Sequence, residues 1–136
     1  MPNWVIEDVL ATSPRPGYTP GPEYRVPEET VEQWLSDVSG FGINSIMCLL
    51  DQDQLWLYGH AYPDGLLARY RDAGMTVAHI GTPDQLTHPF TPEQYEMAWN
   101  AFLELPKPVL VHCSAGHDRT GRVVNLILER MAGEAG

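Results

Sequence analysis

The chain has 136 residues, of which 43% are hydrophobic and 19% are charged. This length fits one domain, and the composition excludes disorder as a description of the whole chain. Eight basic residues stand against eighteen acidic ones, which gives a formal net charge of −10 at pH 7. A field of that sign argues against binding to nucleic acid or to an anionic membrane.

Export signals and cofactor motifs are not apparent. No apolar run of about 18 residues occurs, and the sequence from Met1 to Trp4 lacks the basic region and apolar stretch of a signal peptide. We therefore expect a cytoplasmic protein with no membrane anchor. Two cysteines, Cys48 and Cys113, are too few for a disulfide scaffold. The five histidines show no metal-ligand spacing, so we expect no metal and no organic cofactor.

The amino-terminal stretch is rich in proline. Six prolines in the first 27 residues predict a segment that is mostly loop, because proline has no backbone donor. Within this stretch, Trp4 to Leu10 is compatible with a short strand. We expect residues 1–26 to pack as a proline-rich segment on a single domain that spans residues 1–136.

From Pro27 onward, helical and strand patterns alternate. Apolar residues at helical spacing predict a helix that begins at Pro27 and ends near Gly40, and the apolar run 43–50 is typical of a buried strand. Residues 66–73 then resemble a short helix, and residues 75–80 form the next predicted strand.

A loop over residues 81–89 leads to a capping box that starts at Thr91, which predicts a further helix. Residues 109–112 form a short apolar strand, and residues 123–131 an apolar helix. This alternation predicts an α/β fold, with a twisted, mainly parallel sheet of about four to five strands and helices on both faces.

The segment from Val109 to Gly121 carries most of the functional information. It places Cys113 at the carboxyl end of a strand and Arg119 where the next helix begins. Ligands of open α/β sheets bind at these strand ends, and helix amino termini present unpaired N–H groups to anions. Small loop residues let such groups turn inward, while a guanidinium matches two oxygens of a tetrahedral oxyanion. The residues expected to hold phosphate are Ser114, Ala115, Gly116, His117, Asp118 and Arg119.

These groups favour the thiolate form of Cys113, which is then the nucleophile. A phosphate ester is the expected substrate, attacked at phosphorus to give a cysteinyl-phosphate intermediate. The alternative for Cys113 is a buried structural thiol.

His112-Cys113, followed by five residues and Arg119-Thr120, resembles the His-Cys-x5-Arg-Ser/Thr signature of the cysteine-dependent protein tyrosine phosphatase superfamily. Because the signature follows about four fifths of the chain, the sequence is more similar to the dual-specificity branch than to the low-molecular-weight phosphatases. Residues 42–128 most resemble compact atypical members, such as the kinase-associated phosphatase and small prokaryotic relatives. The resemblance implies a tyrosine phosphatase-like fold.

The resemblance also implies a general acid on a separate loop, about thirty residues before the cysteine. Asp84 lies 29 residues before Cys113 and would protonate the leaving group, then act as a base toward water. Asp64 and Asp118 are the alternatives. Asp64 is rather far upstream, and Asp118 would set a negative charge against the phosphate.

Three further residues take roles from the resemblance. Thr120 would hydrogen-bond the departing thiolate, and His112 would position the loop. Cys48 has two interpretations. It is a core residue that ends an apolar strand, or it is a redox partner that traps oxidised Cys113 as a disulfide, as similar cysteines do in the kinase-associated and lipid phosphatases.

The expected partner is a phosphorylated protein or a small phosphoester, and the expected state is a monomer or weak dimer. Gly-His-Asp-Arg-Thr around His117 resembles a Gly-Lys-Asp-Arg-Thr variant of bacterial tyrosine and phosphoinositide phosphatases, so an inositol-phosphate or phosphoinositide substrate is an alternative. A non-catalytic phosphate-binding module and a rhodanese-like or arsenate-reducing enzyme are the others. Dual-specificity phosphatases generally continue with further helices, so we expect the substrate rim to be exposed, shortened or covered by residues 1–26.

Overall fold

The computed structural model describes residues 2–81, 90–115 and 118–135. Its strands are β1 (Asn3–Ile6), β2 (Leu10–Ser13), β3 (Ser45–Cys48), β4 (Thr76–His79) and β5 (Val109–His112). Its helices are α1 (Glu28–Gly40), α2 (Gln52–Leu55), α3 (Leu66–Asp72), α4 (Pro92–Glu104) and α5 (Asp118–Ala135), with a 3₁₀ turn over Trp56–Tyr58 after α2.

The five strands form one sheet in the order β1-β2-β5-β3-β4. Strands β2, β5, β3 and β4 are parallel, and β1 pairs antiparallel with β2. Ser13 and Cys48 both lie opposite His112, and Cys48 lies opposite His79, so the four parallel strands end together. The predicted α/β class and mainly parallel sheet are confirmed, and the central strand β5 delivers the next residue, Cys113, to the middle of the carboxyl edge.

The amino-terminal stretch differs from the prediction. It contains two strands, β1 and β2, in place of a loop with one short strand over residues 4–10. Prolines 2 and 14 flank this part of the chain and none lies between them, so residues 3–13 keep their backbone donors. Leu10 and Ala11 are fully buried because β2 pairs with the central strand.

Both faces of the sheet are covered, as expected. Along β5, Val109 and Val111 point to one face and Leu110 to the other. The first face packs against buried residues of α4 and α5, which are Ala98, Trp99, Phe102, Val123, Val124 and Ile127. The second face packs against buried residues of α1 and α3, which are Val31, Leu35, Val38, Leu66 and Tyr70.

Two helix starts illustrate how local signals performed. The capping box at Thr91 is confirmed, since Thr91 Oγ1 accepts from the Gln94 N–H at 3.2 Å and Gln94 Oε1 accepts from the Thr91 N–H at 2.8 Å. Helix α5 begins at Asp118, five residues before the predicted start, and places this carboxylate at the positive end of the helix dipole. In the described part of the chain, no helix combines the length and the apolarity that crossing a membrane requires.

Candidate active site

Cys113 directly follows β5 and is 2% exposed. It lines a pocket of about 320 Å³, which we call the Cys113 pocket. Ser114 and Ala115 line the same pocket, as do Asp118 and Arg119 from the first turn of α5. The structure therefore brings the predicted nucleophile, the predicted arginine and part of the predicted loop together at one helix amino terminus.

Arg119 is buried, with 4% of its surface exposed. Its Nη1 donates to Gln54 Oε1 at 2.9 Å and to the Leu49 carbonyl at 3.3 Å. These contacts hold the guanidinium at the pocket from the β3 side of the sheet. A positive charge held in this way is preorganised for an oxyanion.

Thr120 is 1% exposed, and its Oγ1 has no hydrogen-bond partner within the described residues. A buried hydroxyl without a partner is costly, because it has lost its water and gained nothing in return. A thiolate or a bound anion beside this hydroxyl would satisfy it. This is compatible with the role that the sequence assigns to Thr120.

His112 lies fully buried behind the nucleophile. Burial lowers its pKa to about 4, so the imidazole is neutral at pH 7. Its Nδ1–H donates to the Cys113 carbonyl at 3.0 Å, because a carbonyl can only accept. Its Nε2 then accepts from the Tyr70 O–H at 2.9 Å, and burial raises the pKa of Tyr70 well above 10. His112 thus ties the backbone at Cys113 to α3, which is a positioning role.

Cys48 is fully buried and belongs to the core on the α1 and α3 face, whereas Cys113 belongs to the core on the opposite face. Burial raises the pKa of Cys48 to about 12, so its thiol is protonated at neutral pH. Cys48 does lie beside the nucleophile's strand, as the redox interpretation requires, because it pairs with His112.

The other predicted site residues are placed less completely. Asp84, Gly116 and His117 lie outside the described residues. Asp118 is exposed and lines the Cys113 pocket, whereas Asp64 is exposed and is not one of the described residues around it. Across residues 2–81, 90–115 and 118–135, no three His, Cys, Asp or Glu side chains are grouped as metal ligands.

One wall of the pocket was not predicted from the sequence. This wall comes from the loop that follows β2, and its lining residues are Arg15, Tyr18, Thr19, Gly21 and Glu23. Arg15 is 2% exposed. The missed signal is the strand Leu10–Ser13, because a parallel strand beside β5 must deliver the residues after it to the same edge of the sheet.

Gln54 of α2 was also missed and completes the lining between the two walls. Asp51 and Gln54 form a capping box that starts α2, and a carboxylate followed three residues later by glutamine is visible in the sequence. The Gln54 amide Nε2 donates to Glu23 Oε2 at 3.3 Å, while its Oε1 accepts from Arg119. One side chain therefore links the cap of α2 to both walls.

A family model described as "Tyrosine phosphatase family" matches residues 68–133, which contain Cys113 and Arg119. The chain is a member of the cysteine-dependent tyrosine phosphatase-like superfamily. This places the Cys113 pocket where members of the superfamily carry their phosphate site. No curated protein matches the chain in sequence.

Several solved structures share the fold. Tk-PTP, solved in a mutant form, is 23% identical with a TM-score of 0.65, over 97% of this chain and 73% of that one. A DUF442 protein from Shewanella putrefaciens CN-32, assigned as a phosphatase, is 23% identical with a TM-score of 0.59, over 87% of this chain and 64% of that one. A protein from Neisseria meningitidis Z2491 with the same assignment is 19% identical with a TM-score of 0.58, over 95% and 75%. The chain thus spans about two thirds to three quarters of these structures.

Proposed function

We propose that the chain is a phosphomonoester hydrolase of the protein tyrosine or dual-specificity type, acting through a cysteinyl-phosphate intermediate. One observation carries the proposal. Cys113 and Arg119 line one pocket at the amino terminus of α5, beside the ends of four parallel strands. A thiol and a buried guanidinium around a helix amino terminus suit a reaction that begins and ends with an oxyanion.

In the first step, the Cys113 thiolate attacks phosphorus. An S–P bond forms and the ester P–O bond breaks, while Arg119 and the backbone N–H groups of residues 114–119 hold the non-bridging oxygens. Asp84 gives its proton to the departing alkoxide or phenoxide, which leaves as an alcohol or a phenol.

In the second step, water attacks the phosphorus of the cysteinyl-phosphate. Asp84, now a carboxylate, takes a proton from this water. The S–P bond breaks and its electron pair returns to sulfur, while the Thr120 O–H donates to the thiolate that forms. Inorganic phosphate leaves, and the enzyme needs neither a metal nor an organic cofactor for these steps.

The proposed substrate is a phosphorylated protein or a small phosphoester, and the proposed location is the cytoplasm. Two carboxylates, Glu23 and Asp118, line the pocket and would repel a second phosphate group. They support a monophosphorylated substrate over the inositol-phosphate or phosphoinositide alternative. The intact nucleophile and arginine support an enzyme over a non-catalytic phosphate-binding module.

The redox role of Cys48 stays a prediction. Peroxide treatment followed by mass mapping tests it, and a linked Cys48–Cys113 peptide is the result expected of that role. Sulfinate on Cys113 without any link would leave Cys48 as a core residue.

The deciding experiment is hydrolysis of para-nitrophenyl phosphate with chelator present. We expect the wild type to turn over at an unchanged rate in chelator, and Cys113→Ser to abolish turnover. Asp84→Asn should lower kcat by about 10²- to 10⁴-fold, because proton transfer to the leaving group contributes on that scale. Asp64→Asn is the matched control, since Asp64 is exposed.

Each arm of this experiment has a contradicting result. Turnover that survives Cys113→Ser would overturn the mechanism. Loss of turnover in Asp64→Asn but not in Asp84→Asn would move the general acid to Asp64. Sulfur transfer or arsenate reduction in place of ester hydrolysis would favour the rhodanese-like or arsenate-reducing alternative.

A further inference from the structure

Arg15 is a buried arginine in the wall of the Cys113 pocket, and the proposed mechanism gives it no task. Its side chain is 1% exposed, although it follows a strand and stands between two prolines of a surface loop. Burying a guanidinium is expensive unless hydrogen bonds and opposite charge compensate it. The contacts of Arg15 therefore indicate what the fold gains from it.

Two hydrogen bonds join Arg15 to the residue after the nucleophile. The Arg15 backbone N–H donates to the Ser114 carbonyl at 2.8 Å, and Arg15 Nε donates to Ser114 Oγ at 3.1 Å. Because Ser114 adjoins Cys113, these bonds fix the first turn of the chain beyond the thiol.

A third contact anchors the guanidinium from behind. Arg15 Nη1 donates to the Tyr58 hydroxyl at 3.1 Å, and that hydroxyl donates to the Pro16 carbonyl at 2.6 Å. Tyr58 is fully buried and belongs to the α1 and α3 face of the core. The orientation of the guanidinium at the pocket is thus set by the core.

The charge of Arg15 is only partly compensated. Within the described residues, the one carboxylate within 4.0 Å of its guanidinium is that of Glu23, which is 48% exposed and contacts Nη2 at that limit. A half-exposed carboxylate at this distance is screened by water. An anion in the pocket would supply the missing compensation.

The charged side chains that line the pocket come from two segments. They are Arg15 and Glu23 from the loop after β2, and Asp118 and Arg119 from α5. Behind the strand ends, His112 and Cys48 are uncharged at neutral pH, because burial lowers the pKa of the first to about 4 and raises that of the second to about 12. The two buried charges at the pocket are therefore both positive.

We propose that Arg15 is a positioning residue of this site, which fixes Ser114 beside the nucleophile and supplies a second positive charge for the thiolate and for phosphate. The inference rests on the proposed phosphatase function, since it deepens the same site. It makes the loop after β2 part of the anion-binding machinery.

The test compares Arg15→Met and Arg15→Lys with Arg25→Met, a control that removes an exposed arginine of the same segment. Two quantities are measured: the affinity for inorganic phosphate, and the pH midpoint of Cys113 alkylation by iodoacetamide, followed by mass mapping. We expect Arg15→Met to weaken phosphate binding about tenfold and to raise the midpoint by about one pH unit. Arg15→Lys, which keeps the charge, should recover most of the midpoint shift.

Phosphate affinity and an alkylation midpoint in Arg15→Met that equal those of Arg25→Met would overturn the proposal. If Arg15→Met fails to fold, Glu23→Gln decides, because it changes a half-exposed residue and leaves Arg15 in place. It should strengthen phosphate binding and lower the midpoint, and an unchanged value of both would also overturn the proposal. A wild type that binds phosphate without hydrolysing esters would contradict the phosphatase function alone.

Discussion

His112 shows how a single buried side chain can prepare a nucleophile without touching the substrate. Its ring joins the Tyr70 hydroxyl to the Cys113 carbonyl, and both hydrogen bonds require the neutral imidazole. Protonation would turn Nε2 into a donor that faces the hydroxyl and would bury a positive charge. The geometry of the loop therefore depends on His112 staying uncharged.

This requirement makes stability depend on pH in a defined window. The pKa of His112 is about 4 in the fold and about 6.5 in the unfolded chain. Its contribution is complete above pH 6.5 and is lost as pH falls toward 4, because the unfolded chain takes up the proton first. The maximal loss is about 3 kcal/mol. Chemical denaturation from pH 8 to pH 4 should show this slope in the wild type and a flatter one in His112→Asn.

His60→Gln is the control for that measurement, since His60 is exposed. It should keep the slope of the wild type. Equal slopes in the wild type and in His112→Asn would show that the folded protein accommodates the imidazolium.

Residue-scale prediction succeeded where function is encoded in local spacing. His112, Cys113 and Arg119 lie within eight residues of each other, so one motif announces them. Arg15 lies 99 positions from Ser114, and the two meet only because β2 pairs with β5. Spacing along the sequence carries no trace of such a contact.

At the scale of elements, one ion pair joins α1 to the segment around α3. Arg69 Nε and Nη2 donate to the two oxygens of Glu32 at 2.7 and 2.8 Å, and the Tyr62 hydroxyl donates to the same carboxylate at 2.6 Å. The Arg69 hydrogen bond is the main reason why the pKa of Glu32 falls to about 2. This carboxylate holds together the two helices that cover one face of the sheet.

We expect Glu32→Gln to lower the free energy of unfolding by about 1 kcal/mol, because Glu32 is 40% exposed and water screens the pair. The pair contributes fully above pH 4.5, and its contribution is lost as pH falls through about 2. Urea denaturation at pH 7 and pH 3 checks this, and high salt should shrink the difference. Glu29→Gln, on the exposed side of the same helix, should cost less, and an equal cost would deny the pair a special role.

Elements with strong local signals were predictable, and elements defined by tertiary pairing were not. The helices α1 and α4 follow from apolar spacing and, for α4, from its capping box. Strand β2 was missed because its flanking prolines suggested a loop, while its burial comes from β5. Helix α5 begins earlier than its apolar stripe, because its first residues belong to the site and not to the core.

On the scale of the whole molecule, the amino-terminal segment is part of the sheet. Its prolines predicted a covering over residues 1–26, yet β2 lies between β1 and the central strand and contributes Leu10 to one core and Ala11 to the other. The loop after β2 then forms one wall of the Cys113 pocket. Fold and site therefore share this segment.

Removing residues 1–27 should abolish cooperative folding, because it would expose the edge of β5 and both cores. Removing residues 1–7 is the matched control, since it takes away only the antiparallel edge strand β1. Thermal melting followed by circular dichroism should show a transition for the shorter truncation and none for the longer one. A normal melting curve without residues 1–27 would mean that β2 is dispensable.

The pairing of β2 with β5 also sets an order of events during synthesis. The second strand to leave the ribosome must wait for the last one, because Leu10 pairs with Val109 and Ser13 with His112. Contacts that close so long a loop are entropically late. A nascent chain can form helices α1 and α3 early, but its reactive thiol, both arginines of the pocket and the middle of its sheet come together only when nearly the whole message has been read.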